Sequence, residues 1–458
     1  MRTFEILTLF MTAGALTALI THKERRVFLY LLFGAIIAML LQFFLEGHRW
    51  QFAFSVYLLP AMYIFHRFQK YYINTASKVL LVTWYSFALS ILLIVPVFSL
   101  PVPNGLHSVG TETFHWIDSS RAEYFTEDES DVRQIMAQIW YPAETPLSDQ
   151  PLPYLDHIGL RAKTMASAGG IPEFFPKHLN YIFTNSYENA PRIESSNPLP
   201  ILIFSHGITG SRHLHQSLYE YLASRGFVVT AIDHSYDANL TVFPDESIAD
   251  YRSDITGHPD SLAIRKMQMK TRGTDIVFTI NQLEKIQSGN LKSQLNGQLD
   301  LDKIAVGGHS YGGATSITAS AWDSRIKACI GLDPWVSPVP KSVLKLGLSI
   351  PHLILMRPSW ENSDYPDNYV SLDTLLSLSS GSIYPLILKE SEHLDFSDIP
   401  LFSPIIHWVM RDISYLPTNI SVHLLNEIVF EFLNVHLMNQ SDESFKSILR
   451  HPALQPAS

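Results

Sequence analysis

The sequence predicts an α/β fold with a mostly parallel β-sheet, preceded by an all-helical transmembrane unit. After residue 100, short apolar runs alternate with helix-length amphipathic stretches, and polar, turn-forming residues separate them. The first 100 residues differ, because their apolar runs are long and nearly continuous. A chain of 458 residues exceeds one average domain, so we expect two units, a membrane anchor at 1–100 and a second domain at 101–458.

Composition and charge exclude several classes of protein. With 47% hydrophobic and 17% charged residues, the chain has enough apolar surface to fold. Residues 1–100 carry eight basic and three acidic side chains, which leaves 25 basic and 40 acidic ones for the remainder. This acidic excess disfavours nucleic acid as a partner. Cys329 is the single cysteine, so the chain forms no intrachain disulfide and no cysteine-rich metal site.

The amino-terminal unit is expected to contain about four membrane spans, since a span needs roughly 20 apolar residues. The third run is short and contains Pro60, so an interfacial or re-entrant segment is the alternative there. A cleaved signal peptide is the alternative for the first run, although Thr21-His22-Lys23 offers no small-residue cleavage site. The four runs are Phe4–Ile20, Val27–Leu45, Phe52–Phe65 and Val79–Leu100.

Basic residues between the runs predict the orientation, because cytoplasmic loops are enriched in Lys and Arg. Only Arg2 and Arg49 lie near the runs on one side. We therefore expect an integral membrane protein whose domain after Leu100 lies on the extracytoplasmic side, whether or not the third run crosses. The residues on the other side are Lys23, Arg25, Arg26, Arg67, Lys70 and Lys78.

The apolar runs are expected to serve as an anchor. Gln42 is their main interior polar side chain, so nothing resembles an ion pathway or proton relay. A transporter or sensor to which the second domain is accessory is the alternative. The connector Leu100–Gly105, rich in Pro and Gly, marks the domain boundary.

The second domain alternates strands and helices, which predicts a sheet with helices on both faces. In such sheets, ligands bind beyond the carboxyl ends of the strands. The predicted helices are Arg212–Arg225, Ser261–Ile286, Gly312–Trp322 and Ser397–Met410. The predicted strands are Gln134–Tyr141, Pro200–Ser205, Phe227–Asp233, Ile304–Gly308, Ala328–Asp333, Pro351–Met356 and Ile383–Leu388.

One strand end carries the pattern of a nucleophile elbow. Gly308-His309-Ser310-Tyr311-Gly312 is a G-x-S-x-G pentapeptide between a predicted strand and a predicted helix. The elbow glycines Gly308 and Gly312 are needed because the tight turn brings two backbones close together. Ser310 is therefore the candidate nucleophile. The alternative is a glycine-rich packing turn with an idle serine.

A nucleophilic serine needs a histidine base and an acid that orients it, in the order Ser, acid, His. His393 lies in a polar loop after a strand, whereas His352, His407, His423 and His451 lie in a strand, in helical patterns or in the tail. Asp333 ends the first strand after the elbow and is the preferred acid. Its rivals are Glu361, Asp364 and Asp367, because many enzymes with a nucleophile elbow place the acid one strand later.

The oxyanion donors are expected from two backbone amides. The strand Pro200–Ser205 leads into His206-Gly207-Ile208, a position where such enzymes place one N–H. We assign the hole to the amides of Ile208 and Tyr311. No metal and no cofactor is expected, because His206, His234 and His309 end separate strands without metal-ligand spacing.

These segments together resemble the platelet-activating factor acetylhydrolases of the plasma and intracellular type-II group, which are α/β-hydrolases. Tyr311 stands where the plasma enzyme has Phe, and this change leaves the backbone donor intact. The resemblance covers roughly residues 110–440. It is carried by Gln138–Pro142, Phe204–Ile208, Gly308–Gly313, Gly331–Trp335 and His393–Asp398.

The resemblance implies calcium-independent hydrolysis of short or oxidised acyl chains at the second glycerol position of phospholipids. The amino-terminal membrane unit departs from those animal enzymes and puts the physiological substrate in doubt. A general short-chain carboxylesterase or polyesterase is one alternative. A membrane-tethered binding protein that uses a hydrolase fold without catalysis is the other.

Overall fold

The computed structural model describes residues 1–21, 25–68, 74–145, 150–254, 258, 260–361, 363 and 365–457. Lys23, Lys70 and Asp364, which entered the predictions above, lie outside the described residues. The chain divides into two compact units. The helical unit comprises Met1–Ser99, Ile158–Ile182 and Phe402–Ile405, and the sheet unit comprises Leu100–His157, Phe183–Leu401 and Ile406–Ser458.

The helical unit contains four amino-terminal helices: α1 (Thr3–Ile20), α2 (Arg25–Leu41), α3 (Ala53–Phe68) and α4 (Thr75–Ile94). Helix α2 continues as a π-helical turn to Glu46. Among the described residues, three segments are long and apolar enough to cross a membrane: α1, α4 and the stretch Arg25–Glu46. Helix α3 has 16 residues with Pro60 inside, so a fourth span stays a prediction.

Charged and aromatic side chains join the ends of these helices. Arg49 and Glu5 form a fully buried ion pair at 2.8 Å, and Arg49 also donates to the Val95 carbonyl oxygen at 2.9 Å. The Trp50 indole donates to the Phe175 carbonyl oxygen at 3.1 Å, and the two rings pack with centroids 4.7 Å apart. A stretch between two strands of the sheet, which includes helix α5 (Ile158–Gly169), is therefore part of the helical unit.

The sheet unit is built on a ten-stranded sheet with the order β12-β11-β10-β9-β8-β4-β5-β2-β1-β3, and β6 and β7 form a separate hairpin. Its centre, from β11 to β5, is parallel. The strands are β1 (Ser108–Ala122), β2 (Val132–Ala143), β3 (Ser186–Glu188), β4 (Leu199–Ser205), β5 (Val228–Asp233), β6 (Leu240–Val242), β7 (Ile248–Asp250), β8 (Leu299–His309), β9 (Ile326–Leu332), β10 (His352–Met356), β11 (Ile383–Leu388) and β12 (Leu454–Pro456).

Helices cover both faces of this sheet, as predicted. Residues of α7 and α8 pack in one buried cluster, and residues of α6 and α12 pack in the other. Strands β4, β8 and β9 therefore run through the core, and their carboxyl ends share one edge. The helices are α6 (Gln216–Ala223), α7 (Ser261–Gln287), α8 (Tyr311–Trp322), α9 (Lys341–Leu346), α10 (Asn368–Leu378), α11 (Ile406–Val409), α12 (Leu425–His436) and α13 (Glu443–Ile448).

The predicted helix Ser397–Met410 is wrong. The structure has a 3₁₀ turn at Ile399–Leu401 and only the four-residue α11 in that stretch. Pro400 and Pro404 interrupt the helical pattern, because proline lacks an N–H and restricts the residue before it. The short helix Asn419–Leu424, a π-helical segment, then leads into α12.

Candidate active site

Ser310 occupies a sharp turn between β8 and α8, with φ 55° and ψ −120°. A side chain in this left-handed region is strained by roughly 1–3 kcal/mol. A Cβ on Gly308 would lie 2.3 Å from the Gly312 carbonyl carbon, and a Cβ on Gly312 would lie 1.9 Å from the Ser205 carbonyl oxygen. The turn therefore requires glycine at both positions, as the pentapeptide predicted.

Ser310, His393 and Asp333 form one hydrogen-bonded chain. Ser310 Oγ lies 2.8 Å from His393 Nε2, and His393 Nδ1 lies 2.5 Å from Asp333 Oδ2. Asp333 is fully buried, whereas the His393 side chain is 19% exposed. A carboxylate that holds an imidazole, which in turn accepts from a hydroxyl, is the arrangement that activates a serine.

Two backbone contacts tie the serine turn to the strand that carries the acid. The Ser310 amide donates to the Leu332 carbonyl oxygen at 2.9 Å, and the Trp335 amide donates to the Ser310 carbonyl oxygen at 3.0 Å. Asp333 itself has φ 40° and donates its amide to the Leu355 carbonyl oxygen at 2.7 Å. The positions of Ser310 and Asp333 are therefore fixed relative to each other by the neighbouring strands β8 and β9.

The second carboxylate oxygen of Asp333 is held from the loop after β10. Asp333 Oδ1 accepts from the Trp360 indole at 3.0 Å and from the Arg357 amide at 3.1 Å. The Arg357 guanidinium lies 3.5 Å from Oδ2. The Trp360 ring also packs edge-on against His393, with centroids 5.2 Å apart. The two hydrogen bonds to Oδ1 fix the plane of the carboxylate, and Oδ2 accepts its hydrogen bond from His393.

His309, the residue before the serine, supports the histidine loop. Its Nε2 lies 2.8 Å from the His393 carbonyl oxygen, which can only accept. Burial holds the pKa of His309 well below its ordinary value, so the ring is neutral and Nε2 carries the donated hydrogen. The second position of the pentapeptide thus ties the elbow to the loop of His393.

The predicted oxyanion donors lie on segments that border Ser310. Tyr311 is the first residue of α8, where backbone N–H groups have no intrahelical acceptor. A Cβ on Gly207 would lie 3.2 Å from Ser310 Cβ, so the backbone leading to Ile208 passes directly beside Ser310. Their role as an oxyanion hole stays a prediction.

The rival residues take other positions. Glu361 and Asp367 are exposed, and Asp367 precedes the first turn of α10. His352 lies in β10, as its pattern indicated, and His407 lies in the four-residue α11. Among the rivals inside the described residues, none contacts His393 in place of Asp333.

The three histidines considered for a metal site bond to protein groups instead. His234 lies 2.6 Å from Ser205 Oγ and 2.8 Å from Asp275 Oδ2, and His206 accepts from the His234 amide at 3.1 Å. Within the described part of the chain, no group of three or more His, Cys, Asp and Glu side chains is placed to hold a metal ion.

The roles of Trp360, Arg357 and His309 were not predicted from the sequence. Trp360 and Arg357 lie in an irregular loop, and no local sequence pattern predicts the path of that loop. His309 carried a usable signal, since a residue inside the pentapeptide must lie beside the site. Its contact to the backbone of a residue 84 positions away could not be inferred.

The fold is that of the α/β-hydrolases. The solved structure of a ferulic acid esterase from Streptomyces cinnamoneus aligns with a TM-score of 0.64 and 22% identity, covering 79% of this chain and 100% of the esterase. At this identity the likeness shows the fold alone. The sheet order and the helices on both faces agree with it.

The chain belongs to the family described as platelet-activating factor acetylhydrolase, isoform II, whose model matches residues 95–448. The platelet-activating factor acetylhydrolase of the dog is 27% identical over 297 residues, which are 60% of this chain and 66% of the dog protein. A putative phospholipase A2 of fission yeast is 24% identical over 357 residues, covering 62% and 79%. The chain thus spans slightly less than two thirds of the dog protein, and residues 1–94 lie outside the family match.

Proposed function

We propose that this chain is a membrane-anchored serine esterase that hydrolyses acyl esters, with short or oxidised sn-2 chains of phospholipids as its substrates. The observation that carries the proposal is the chain from Ser310 Oγ through His393 to Asp333, with distances of 2.8 and 2.5 Å. The ester class agrees with the names of the relatives, a platelet-activating factor acetylhydrolase and a putative phospholipase A2.

In the first half of the reaction, Ser310 Oγ attacks the ester carbonyl carbon while its proton moves to His393 Nε2. Asp333 accepts from Nδ1 and stabilises the imidazolium. The Ile208 and Tyr311 amides donate to the oxygen that becomes negative. The tetrahedral intermediate then expels the alcohol, which takes the proton from His393 and leaves an acyl group on Ser310.

Water completes the cycle by the same steps in reverse order. His393 takes a proton from the water as it attacks the acyl carbon, and Ser310 leaves with that proton. The products are the free acid and the regenerated serine. Side-chain chemistry balances every proton in this sequence, so the proposal requires neither metal nor cofactor.

The membrane anchor is the second part of the proposal. Three amino-terminal segments have the length and apolar composition of spans. The excess of basic residues between the first and second runs and before the fourth supports an extracytoplasmic catalytic domain. An anchor keeps the esterase beside lipid esters and raises the frequency of encounter with them.

Hydrolysis by the full-length protein in lipid nanodiscs tests the proposal. The substrates are 1-alkyl-2-acetyl-glycerophosphocholine, an oxidised phosphatidylcholine and p-nitrophenyl acetate. Ser310→Ala is expected to lower kcat by at least about 10⁴-fold. Ser320→Ala, a control on helix α8, which follows Ser310, keeps the activity; the Ser320 hydroxyl donates to the Ser316 carbonyl oxygen. Undiminished hydrolysis by the Ser310 variant would exclude this mechanism, and hydrolysis of p-nitrophenyl acetate alone would exclude the phospholipid substrates.

A further inference from the structure

A second array of serine, histidine and aspartate lies beneath the turn that follows β4. Ser205 Oγ is 2.6 Å from His234 Nε2, and His234 Nδ1 is 2.8 Å from Asp275 Oδ2. All three residues are fully buried, with 0% exposure. An ester carbonyl cannot reach this serine, so the array has no nucleophilic role. Because Ser205 directly precedes the segment His206–Ile208, the array is placed to support the backbone of that segment.

The charges around this array fix the positions of its protons. Asp275 forms a buried bidentate pair with Arg133 at 2.6 Å and 3.1 Å, which holds its pKa far below the ordinary value. Burial lowers the pKa of His234 to about 3, so its ring is neutral. His234 Nδ1 therefore donates to the Asp275 carboxylate, and Nε2 accepts from the Ser205 hydroxyl. Residue 234 is thereby locked in one orientation.

The backbone of His234 in turn fixes the tautomer of His206. The His234 amide donates to His206 Nε2 at 3.1 Å, so that nitrogen carries no hydrogen. Burial lowers the pKa of His206 to about 4, and the single hydrogen of its neutral ring therefore sits on Nδ1. Nδ1 lies 2.6 Å from the Gly207 carbonyl oxygen and donates to it.

The carbonyl of Gly207 determines where the Ile208 amide points. A trans peptide is planar, and its N–H points opposite to its C=O. The Gly207 carbonyl oxygen accepts from His206 Nδ1 and also from the Gly210 amide at 3.1 Å. With the oxygen held by two donors on one side, the Ile208 N–H faces the other side. Gly207 itself borders Ser310, as the 3.2 Å approach of its Cβ position shows.

Arg272 holds the preceding peptide, which joins His206 to Gly207. Its guanidinium donates to the His206 carbonyl oxygen, to Ser205 Oγ at 3.2 Å and to Asp237 Oδ2 at 2.6 Å. Arg272 and Asp237 are each 1% exposed. The peptides on both sides of Gly207 are therefore held by hydrogen bonds from buried side chains.

We propose that His206 is a positioning residue that aims the Ile208 amide at the developing oxyanion, and that the buried Ser205–His234–Asp275 array keeps His206 in the donating tautomer. This inference rests on the proposed function and assigns a role in it to four residues that do not touch the substrate. An aimed amide matters because oxyanion donors act only when they are directed at the position of the oxygen in the transition state.

Two amide substitutions at His206 separate aiming from general support. In His206→Asn, the side-chain amide nitrogen replaces Nδ1 and can still donate to the Gly207 carbonyl oxygen. In His206→Gln, the side-chain amide oxygen replaces Nε2 and can accept from the His234 amide, but the Gly207 carbonyl is left without its side-chain donor. We measure kcat and KM for p-nitrophenyl acetate with these two full-length variants and with His206→Ala. Inhibition by an alkyl trifluoromethyl ketone, which binds as a tetrahedral oxyanion, is measured in parallel.

The expected result for His206→Gln and His206→Ala is a kcat about 10–100-fold lower with KM changed less than about twofold, because the lost interaction belongs to the transition state. The inhibition constant of the trifluoromethyl ketone rises by the same factor. His206→Asn recovers kcat to within about threefold of the wild type. If His206→Ala does not fold, the comparison of His206→Asn with His206→Gln decides.

Equal activity of the folded asparagine and glutamine variants would overturn the inference, and so would a reduced kcat with unchanged affinity for the trifluoromethyl ketone. These failures differ from failure of the proposed function, which is hydrolysis that persists in Ser310→Ala. In that case the oxyanion assignment falls as well, and this inference with it.

Discussion

Asp333 illustrates how single residues set the geometry of the site. Its Oδ1 is occupied by the Trp360 indole and the Arg357 amide, and its Oδ2 faces His393. Because both oxygens are engaged, the carboxylate cannot rotate away from the imidazole. Charge-assisted hydrogen bonds of this kind contribute more than neutral ones. Asp333 is therefore positioned by two residues of an irregular loop.

Replacing Trp360 with Phe keeps the ring against His393 and removes the donor to Asp333. The hydrogen bond to a charged group is worth about 1.5–3 kcal/mol, and part of it supports the orientation of His393. We expect kcat to fall about 10-fold with little change in KM. Steady-state kinetics on an acetyl ester measure this.

Trp335→Phe is the matched control for that substitution. Its indole nitrogen is buried and has no hydrogen-bond partner among the described residues, so the same change removes no bond there. A fall in kcat that is equal in the two variants would show that lost aromatic packing, and not the bond to Asp333, is responsible.

At this scale the sequence predicted the residues that the structure brings together at Ser310. The pentapeptide named Ser310, and the rule that ligands collect at strand ends selected Asp333 and His393. The roles of Trp360 and His309 were not predicted, because their contacts depend on the paths of loops that are far apart in the sequence. The exposure of Glu361 and Asp367 likewise became visible only in three dimensions.

At the scale of elements, the approach of β8 to α8 dictates the elbow. A Cβ on Gly308 would meet backbone atoms of Gly312 and Ser205 at 2.3–2.6 Å, and rigid backbone cannot move aside. Gly308→Ala is therefore expected to destabilise the fold by about 1–3 kcal/mol or more and to abolish most of the activity. Thermal unfolding and esterase assays of the full-length protein in nanodiscs measure both effects.

The neighbouring Gly307 provides the comparison within the same strand. A Cβ there would lie 3.4 Å from its nearest atoms, all of which belong to the side chains of Ile330, Leu202 and Phe204. Gly307→Ala is expected to keep activity and most of the stability. Tolerance of alanine at 308 as well as at 307 would refute the account of the turn.

Helix α6 is tied to the rest of the sheet unit by two buried carboxyl groups. Asp398 accepts from Ser217 on this helix and from the Tyr154 hydroxyl, and Glu220 on the same helix accepts from Asn185 and Ser186. Burial raises the pKa of both groups to about 7, from ordinary values of 3.8 and 4.5. Their titration makes the anchoring of α6 dependent on pH.

The raised pKa values predict that the domain loses stability as pH increases. Below the unfolded pKa of 4.5 both states carry the proton on Glu220, and no difference arises. Between that value and about 7 the unfolded state releases the proton first, so folding is disfavoured by about 3 kcal/mol at pH 8. Glu220→Gln removes the titrating carboxyl group and with it this pH-dependent loss of stability. We expect its thermal midpoint to fall less between pH 5 and pH 8 than that of the wild type.

The exposed Glu188 supplies the control for this titration. Glu188→Gln is expected to reproduce the pH dependence of the wild type. If Glu220→Gln also reproduces it, the buried carboxyl group does not titrate in this range and the assigned burial effect is wrong.

Elements of the sheet were predictable to different degrees. Strands β4 and β11 are continuous, mainly apolar runs, and their predicted bounds are correct within one residue. Strand β1 was missed, because it pairs antiparallel near one edge and mixes polar and apolar residues instead of forming a continuous apolar run. The predicted helix Ser397–Met410 was wrong because the prediction followed the apolar pattern and gave too little weight to Pro400 and Pro404.

At the scale of the whole molecule, the chain combines a basic, apolar helical unit with an acidic sheet unit. We expect the acidic unit to lie outside the cytoplasm, and the buried Cys329 makes this testable. In otherwise unchanged protein, a cysteine at the exposed Lys292 should react with an impermeant maleimide on intact cells. A cysteine at the exposed Arg26 should react only after permeabilisation. The reverse pattern would place the catalytic domain on the cytoplasmic side.

The identity of the nucleophile is the claim on which the account depends, and mass spectrometry after reaction with a fluorophosphonate tests it most directly. Full-length protein in nanodiscs is labelled, digested and searched for the modified serine. We predict a single stoichiometric adduct on Ser310 that is lost in His393→Ala. An adduct on a different serine, or full esterase activity in protein whose Ser310 has been completely modified, would contradict the account.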